Sequence, residues 1–159
     1  MYPKLILLLL IAFTSVLRGQ EYNPALMEKM EQSLRVPGDS FRLDLDYMIC
    51  CQNPVCDFNL LIYKTLVHFL VENPDARIEI ASYTDCQGND GYNLELSQRR
   101  ANHIQDFLIE NDIPLNQIRA IGYGETRPVI TCLCTGKSKQ PCREVDHQIN
   151  RRVVLRLID

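Results

Sequence analysis

Between Phe41 and Ile158 the spacing of apolar residues switches period several times, and the order of those switches leaves few folds open. Phe41, Leu43, Leu45, Tyr47 and Ile49 alternate with Arg42, Asp44 and Asp46, the period-two pattern of a half-buried strand. Asp57 is a good helix N-cap. The stripe Phe58, Ile62, Leu66 and Phe69 carries a helix from there to about Asn73, where Pro74 stops it. Arg77 to Thr84 alternates again as a second strand. A second helix follows, capped by Asn93, with Leu94, Ser97, Ala101, Ile104 and Leu108 on one face and Asn111 as a left-handed C-cap. Ile118 to Tyr123 makes a third short strand, Pro128 to Gln148 is irregular, and Arg151 to Ile158 closes with a fourth strand. The predicted order is β-α-β-α-β-β. That order describes an α/β (α+β) two-layer sandwich with a mixed four-stranded sheet and two main helices on one face.

What precedes Phe41 reads differently. Lys4 leads an uncharged apolar run, Leu5 to Leu17, closed by Arg18, Gly19 and Gln20. At about 1.5 Å per residue the run spans roughly 20 Å, short of the ~30 Å of a bilayer's hydrocarbon core. Residues 1–20 are therefore expected to be a secretory signal peptide, cut after Gly19 or Gln20, with an uncleaved anchor as the weaker reading. No Cys lies near that cut, so lipid attachment is not supported. Residues 21–40, punctuated by Pro24, Pro37 and Gly38, read as a linker or tether, although Leu26, Met27, Met30 and Leu34 allow a short amphipathic turn or two. Residues 41–159 form the domain.

The charge balance limits partners. There are 17 Lys and Arg against 20 Asp and Glu, a formal net charge of -3, and loss of Lys4 and Arg18 lowers it by two, to -5. A chain so acidic lacks the basic excess of a general nucleic-acid binder. The mature chain is expected to be an exported, acidic protein without a membrane span.

The specific signal is an ordered set of motifs. Thr84-Asp85 closes the second strand. Gly88 and Gly91 follow in the loop, then Tyr92-Asn93, Leu96-Ser97 and Arg99-Arg100-Ala101 in the helix. Gly122-Tyr123-Gly124-Glu125 with Pro128, and finally Asn150-Arg151-Arg152, complete the set. Over Phe41 to Ile158 the chain resembles the OmpA-like peptidoglycan-binding domain, the C-terminal type shared by outer-membrane protein A, peptidoglycan-associated lipoproteins and flagellar motor stators.

The resemblance implies non-covalent binding of the peptidoglycan stem peptide through diaminopimelate, with no cofactor. That residue ends in an ammonium and a carboxylate on one carbon, so its site needs an anion and a cation a few ångströms apart. By motif position Asp85 takes the ammonium and Arg100 the carboxylate, for which a planar guanidinium fork is well suited. Thr84 and Asn93 are supporting members. Arg151 either flanks the same groove or only closes the sheet. Asn150 is expected to fix the turn into the last strand, while Glu125, Pro128, Gly122 and Gly124 shape loops. Taken alone, an Asp and an Arg beside one loop more often form a structural ion pair; the ordered motifs shift the reading to a ligand. The implied setting is the periplasm, against the cell wall, linked to the outer membrane through an envelope protein partner.

There are seven cysteines: Cys50, Cys51 and Cys56 in the first loop, which usually lacks them in the family, Cys86 beside Asp85, and Cys132, Cys134 and Cys142 in the late insertion, where some family members also carry a disulfide. In the family fold the first two loops share one end of the sheet, which brings Cys86 toward Cys50 or Cys51. Cys142 is expected to pair with Cys132 or Cys134, leaving one thiol of that trio free or bonded to a partner chain. Zinc is set aside, because exported thiols oxidise and no C-x-x-C pair completes a tetrahedral set.

Two other function classes compete. Ser97, His103 and Asp106 do not make a hydrolase triad, since Ser97 and His103 stand six residues apart on different helix faces. His68 and His147 read as surface or packing residues. A structural subunit of an envelope secretion or motility assembly, with its site vestigial or holding a protein partner, remains the alternative.

Overall fold

The computed structural model describes residues 21–45, 57–132, 134 and 141–158. Its elements are α1 (Pro24–Ser33), β1 (Ser40–Leu43), α2 (Asp57–Glu72), β2 (Ile78–Tyr83), α3 (Asp90–Glu110), a 3-10 turn at Leu115–Gln117, β3 (Ile118–Gly122), α4 (Glu144–Asn150) and β4 (Arg152–Leu157). The four strands form one mixed sheet in the order β1-β4-β2-β3. β4 runs antiparallel to both neighbours, pairing Leu155 with Phe41 and with Ile80; β2 and β3 are parallel, with Ile80 opposite Ala120. The expected α/β sandwich is the fold observed.

Alternation decides which side of each strand meets the helices. In β4, Val153 and Leu155 are fully buried and Leu157 nearly so, packing in one core with Ile78 and Ile80 of β2. From α2 come Leu66, Phe69 and Leu70; from α3, Ala101, Ile104 and Leu108 at helical spacing. Each such aliphatic side chain contributes about 1.5–3 kcal/mol when taken out of water.

β2 departs from the half-buried pattern because all six of its residues are buried. On the face away from the helices, Glu79 and Tyr83 lie under an arginine and tyrosine layer. Arg156 Nη1 donates to Glu79 Oε1 at 2.8 Å, and Tyr123 Oη donates to the same oxygen at 3.0 Å. The Tyr83 and Tyr123 rings stack with centroids 5.2 Å apart, and the Arg152 guanidinium sits 3.8 Å above Tyr83.

Four sequence expectations need correction. Residues 21–40 are not a tether: α1 buries Met27 and Met30, with Leu34 just beyond it, in the same core as α2. Asn23 caps this helix by accepting the Leu26 N–H at 3.1 Å, and Pro24 provides a preset first turn. Asn93 does not cap α3. Asn89 does, accepting the Tyr92 N–H at 2.8 Å, which leaves Asn93 one turn inside and 1% exposed. At the other end of α3, Asp112 rather than Asn111 takes the left-handed conformation, with φ 64°. The late insertion is not wholly irregular. Its end is α4, whose start is braced by Asp146 accepting the Arg143 N–H at 2.9 Å and the Arg143 guanidinium at 3.0 and 3.1 Å. The outer part of the first predicted strand, and Cys50, Cys51 and Cys56, fall outside the described residues.

Candidate functional site

The motif residues converge where β2, α3 and β4 meet. Asp85 follows the C-terminal end of β2 and is 6% exposed. Its Oδ1 accepts the Gln87 N–H at 3.0 Å, an Asx turn that bends the chain toward α3. Its Oδ2 accepts from Arg151 Nη1 at 2.6 Å, and His147 Nδ1 lies 3.3 Å from the same oxygen. Arg151 thus brings the start of β4 against the end of β2. Its other terminal nitrogen bonds Glu144. Burial alone lowers the Arg151 pKa, but hydrogen bonds and charges from Glu144 and Asp85 outweigh it and leave the guanidinium's pKa raised.

The loop around Asp85 is held by buried polar contacts. Asn93 Nδ2 donates to the Asp85 carbonyl at 3.2 Å and also bonds Glu125. Ser97 Oγ accepts the Gly124 N–H at 2.8 Å, and Gln98 Oε1 accepts the Gly122 N–H at 2.8 Å. Gly122 is needed for close approach: a Cβ there would sit 2.2 Å from the Gln98 backbone nitrogen. Thr84 donates its N–H to the Gly124 carbonyl at 3.0 Å, while its buried Oγ1 makes no hydrogen bond. Arg100 is half-buried on α3, two turns beyond Asn93 on the face that also carries Ser97. Arg99 points outward and pairs with Glu95 one turn back.

The last motif serves two ends. Asn150 Oδ1 accepts the N–H groups of Val129 and Ile130 at 2.8 and 3.0 Å, and its Nδ2 donates to the Ile130 carbonyl at 2.9 Å. It therefore ties the start of the insertion to the end of α4, beyond fixing a turn. Arg152, next to Arg151, points to the opposite sheet face and stacks on Tyr83.

The shape of this site, with its strand-end Asp, helix-borne Arg and buried Asn, accompanies sequence likeness. The OmpA family profile matches residues 62–140. This is an OmpA-family domain. Outer membrane porin F of Pseudomonas fluorescens is 37% identical over 90 residues, covering 57% of this chain and 25% of the porin. The peptidoglycan-associated lipoprotein of Brucella melitensis is 42% identical over 64 residues, 40% of this chain and 38% of the lipoprotein. The chain thus spans less than half the length of these relatives.

Among solved structures, the peptidoglycan-associated lipoprotein of Burkholderia pseudomallei aligns with a TM-score of 0.52 and 24% identity, over 75% of this chain and 87% of that one. The periplasmic domain of Helicobacter pylori MotB aligns with a TM-score of 0.58 and 19% identity, over 78% of each chain. At those identities the structural match speaks for the fold.

The cysteines correct the sequence reading of this OmpA-family chain. Cys132 is bonded to Cys142, one of the two pairings expected, but Cys86 is bonded to Cys134 and not to Cys50 or Cys51. No thiol of the late trio is left over. Asn150 holds Val129 and Ile130 against the end of α4, and the Cys86–Cys134 bond fixes Cys134 at the Asp85 loop. His147 is the residue that sequence reasoning missed. It lies in the stretch read as irregular, 62 positions from Asp85, and no local pattern marks it.

Proposed function

We propose that this OmpA-family domain binds peptidoglycan non-covalently through the diaminopimelate of the stem peptide and so ties an envelope component to the cell wall. The observation that carries the reading is the buried Asp85 carboxylate at the mouth of the β2–α3 loop, with Arg100 on the adjoining helix face. In this reading the Asp85 carboxylate receives the ligand's ammonium. A carboxylate has about four acceptor positions, so the bonds from Gln87 and Arg151 leave capacity for it. Arg100 receives the ligand's carboxylate as a bidentate partner. Arg151 holds Asp85 in place, and Thr84 and Asn93 shape the loop. The lipoproteins named for peptidoglycan among the relatives support the wall as the target. The setting that follows is the periplasm, at the wall, with any outer-membrane link made through an envelope protein partner.

A charge-assisted hydrogen bond contributes about 1.5–3 kcal/mol net, so loss of either ion should weaken binding at least about tenfold. The test is co-sedimentation with purified sacculi of the diaminopimelate type and of the lysine type. The protein should pellet with the first and far less with the second, which lacks the carboxylate for Arg100. Equal pelleting of wild type and an Asp85→Ala plus Arg100→Ala variant would end this proposal and leave the assembly-subunit reading.

A further inference from the structure

The disulfide pairing conceals a second arrangement of the same side chains. One ligand atom each from Cys86, Cys134, Cys142 and His147 all lie within 4.8 Å of one another. The Cys142 sulfur is 3.4 Å from that of Cys86 and 4.0 Å from that of Cys134, although it is bonded to neither. These two separations bracket the spacing of about 3.8 Å between sulfurs on a tetrahedral zinc with Zn–S bonds of about 2.3 Å. The four residues come from three segments: the loop after β2, the insertion, and α4. That is why a search for paired C-x-x-C motifs sets zinc aside.

A second observation is independent of the sulfurs. The His147 side chain is 8% exposed, and its Nδ1 makes no hydrogen bond even though Asp85 lies 3.3 Å away. Buried polar atoms without a partner are rare, and imidazole nitrogen is a common zinc ligand.

We propose that Cys86, Cys134, Cys142 and His147 form a redox-gated Cys3His site for a thiophilic divalent cation, zinc. In the disulfide form the sulfurs are not thiolates and the site is closed. A dithiol or phosphine reductant gives two electrons and two protons are taken up for each of the Cys86–Cys134 and Cys132–Cys142 bonds, yielding four thiols. Zinc then binds three of them as thiolates, with His147 as the neutral fourth ligand, and three thiol protons pass to solvent. Cys132 stays outside the set. The metal takes over from the disulfides the task of joining the insertion to the Asp85 loop.

The experiment uses the full chain with Cys50, Cys51 and Cys56 changed to Ser, reduced anaerobically with a phosphine and titrated with Co²⁺. One equivalent should bind, giving thiolate-to-cobalt charge transfer in the near ultraviolet and the strong visible bands of tetrahedral Co²⁺, both abolished by Zn²⁺. Cys132→Ser should bind as the parent does, whereas Cys142→Ser or His147→Ala should weaken binding at least about tenfold, as even outer-shell changes commonly do. Zn²⁺ should raise the melting temperature of the reduced protein and leave that of the oxidised protein unchanged. Failure of the reduced parent to bind Co²⁺, or binding that survives Cys142→Ser with His147→Ala, would overturn the site. Neither readout involves peptidoglycan, so the site stands or falls apart from the wall-binding proposal.

Discussion

Asp85 Oδ2 and Arg151 Nη1 stand 2.6 Å apart across 66 residues of sequence, with both side chains nearly removed from solvent. This pair fastens the end of β2 to the entry of β4. It also places the Asp85 carboxylate between Arg151, His147 and the loop leading to α3.

Loss of one partner in such a pair leaves the other as an uncompensated buried charge, at a cost of about 3 kcal/mol or more. Arg151→Ala should therefore destabilise the domain by that amount in urea unfolding. Exchanging Arg151 for Lys should recover part of the loss but not the simultaneous bonds to Asp85 and Glu144, since an ammonium lacks the planar fork.

Gly122 brings β3 against α3 at backbone contact. An added methyl would meet the Gln98 nitrogen at 2.2 Å, the Gln98 Cα at 2.6 Å and Ser97 Oγ at 2.6 Å. Two of these are main-chain atoms that cannot rotate away. Gly122→Ala should cost about 3 kcal/mol or more. In chemical denaturation the midpoint should fall without a comparable change in slope.

Met30 is fully buried, so α1 belongs to the cooperative unit. Met30→Ala should lower stability by about 2–5 kcal/mol, the usual range for emptying a large core position. Were residues 21–40 a passive tether, the same substitution would leave the melting temperature unchanged. Thermal unfolding followed by circular dichroism separates these outcomes.

Acid should loosen α4. Hydrogen bonds from the Arg143 side chain and backbone hold the Asp146 carboxyl below its ordinary value. A carboxyl with a depressed folded pKa stabilises the fold above its unfolded value of about 3.9 and loses that contribution as pH falls through the folded value. Stability measured from pH 6 downward should decline through that window, and Asp146→Asn should flatten part of the decline.

Much of the architecture was legible in local pattern. Val153, Leu155 and Leu157 in β4, and Ala101, Ile104 and Leu108 in α3, fall on buried faces because strand and helix periods act over a few residues. Asp85, Arg100 and Asn93 were marked by the ordered motif around them. The capping of α3 was misplaced by one turn because Asn89 and Asn93 are both competent caps. Burial of Asn93 depends on contacts with the Asp85 carbonyl and Glu125, the latter 32 residues away.

Local pattern carried the order of the four strands and the two main helices, and the ordered motifs carried the family likeness and the choice of Asp85 and Arg100 as candidates, because these follow from short-range periodicity and residue type. Only the tertiary structure decided that Arg151 pairs with Asp85, that α1 joins the core, and that Cys86 meets Cys134 beside Cys142 and His147. Those contacts depend on chain closure over distances such as the 48 residues between Cys86 and Cys134. No local preference encodes which of several equally reactive cysteines, or equally charged arginines, the fold will bring to one point.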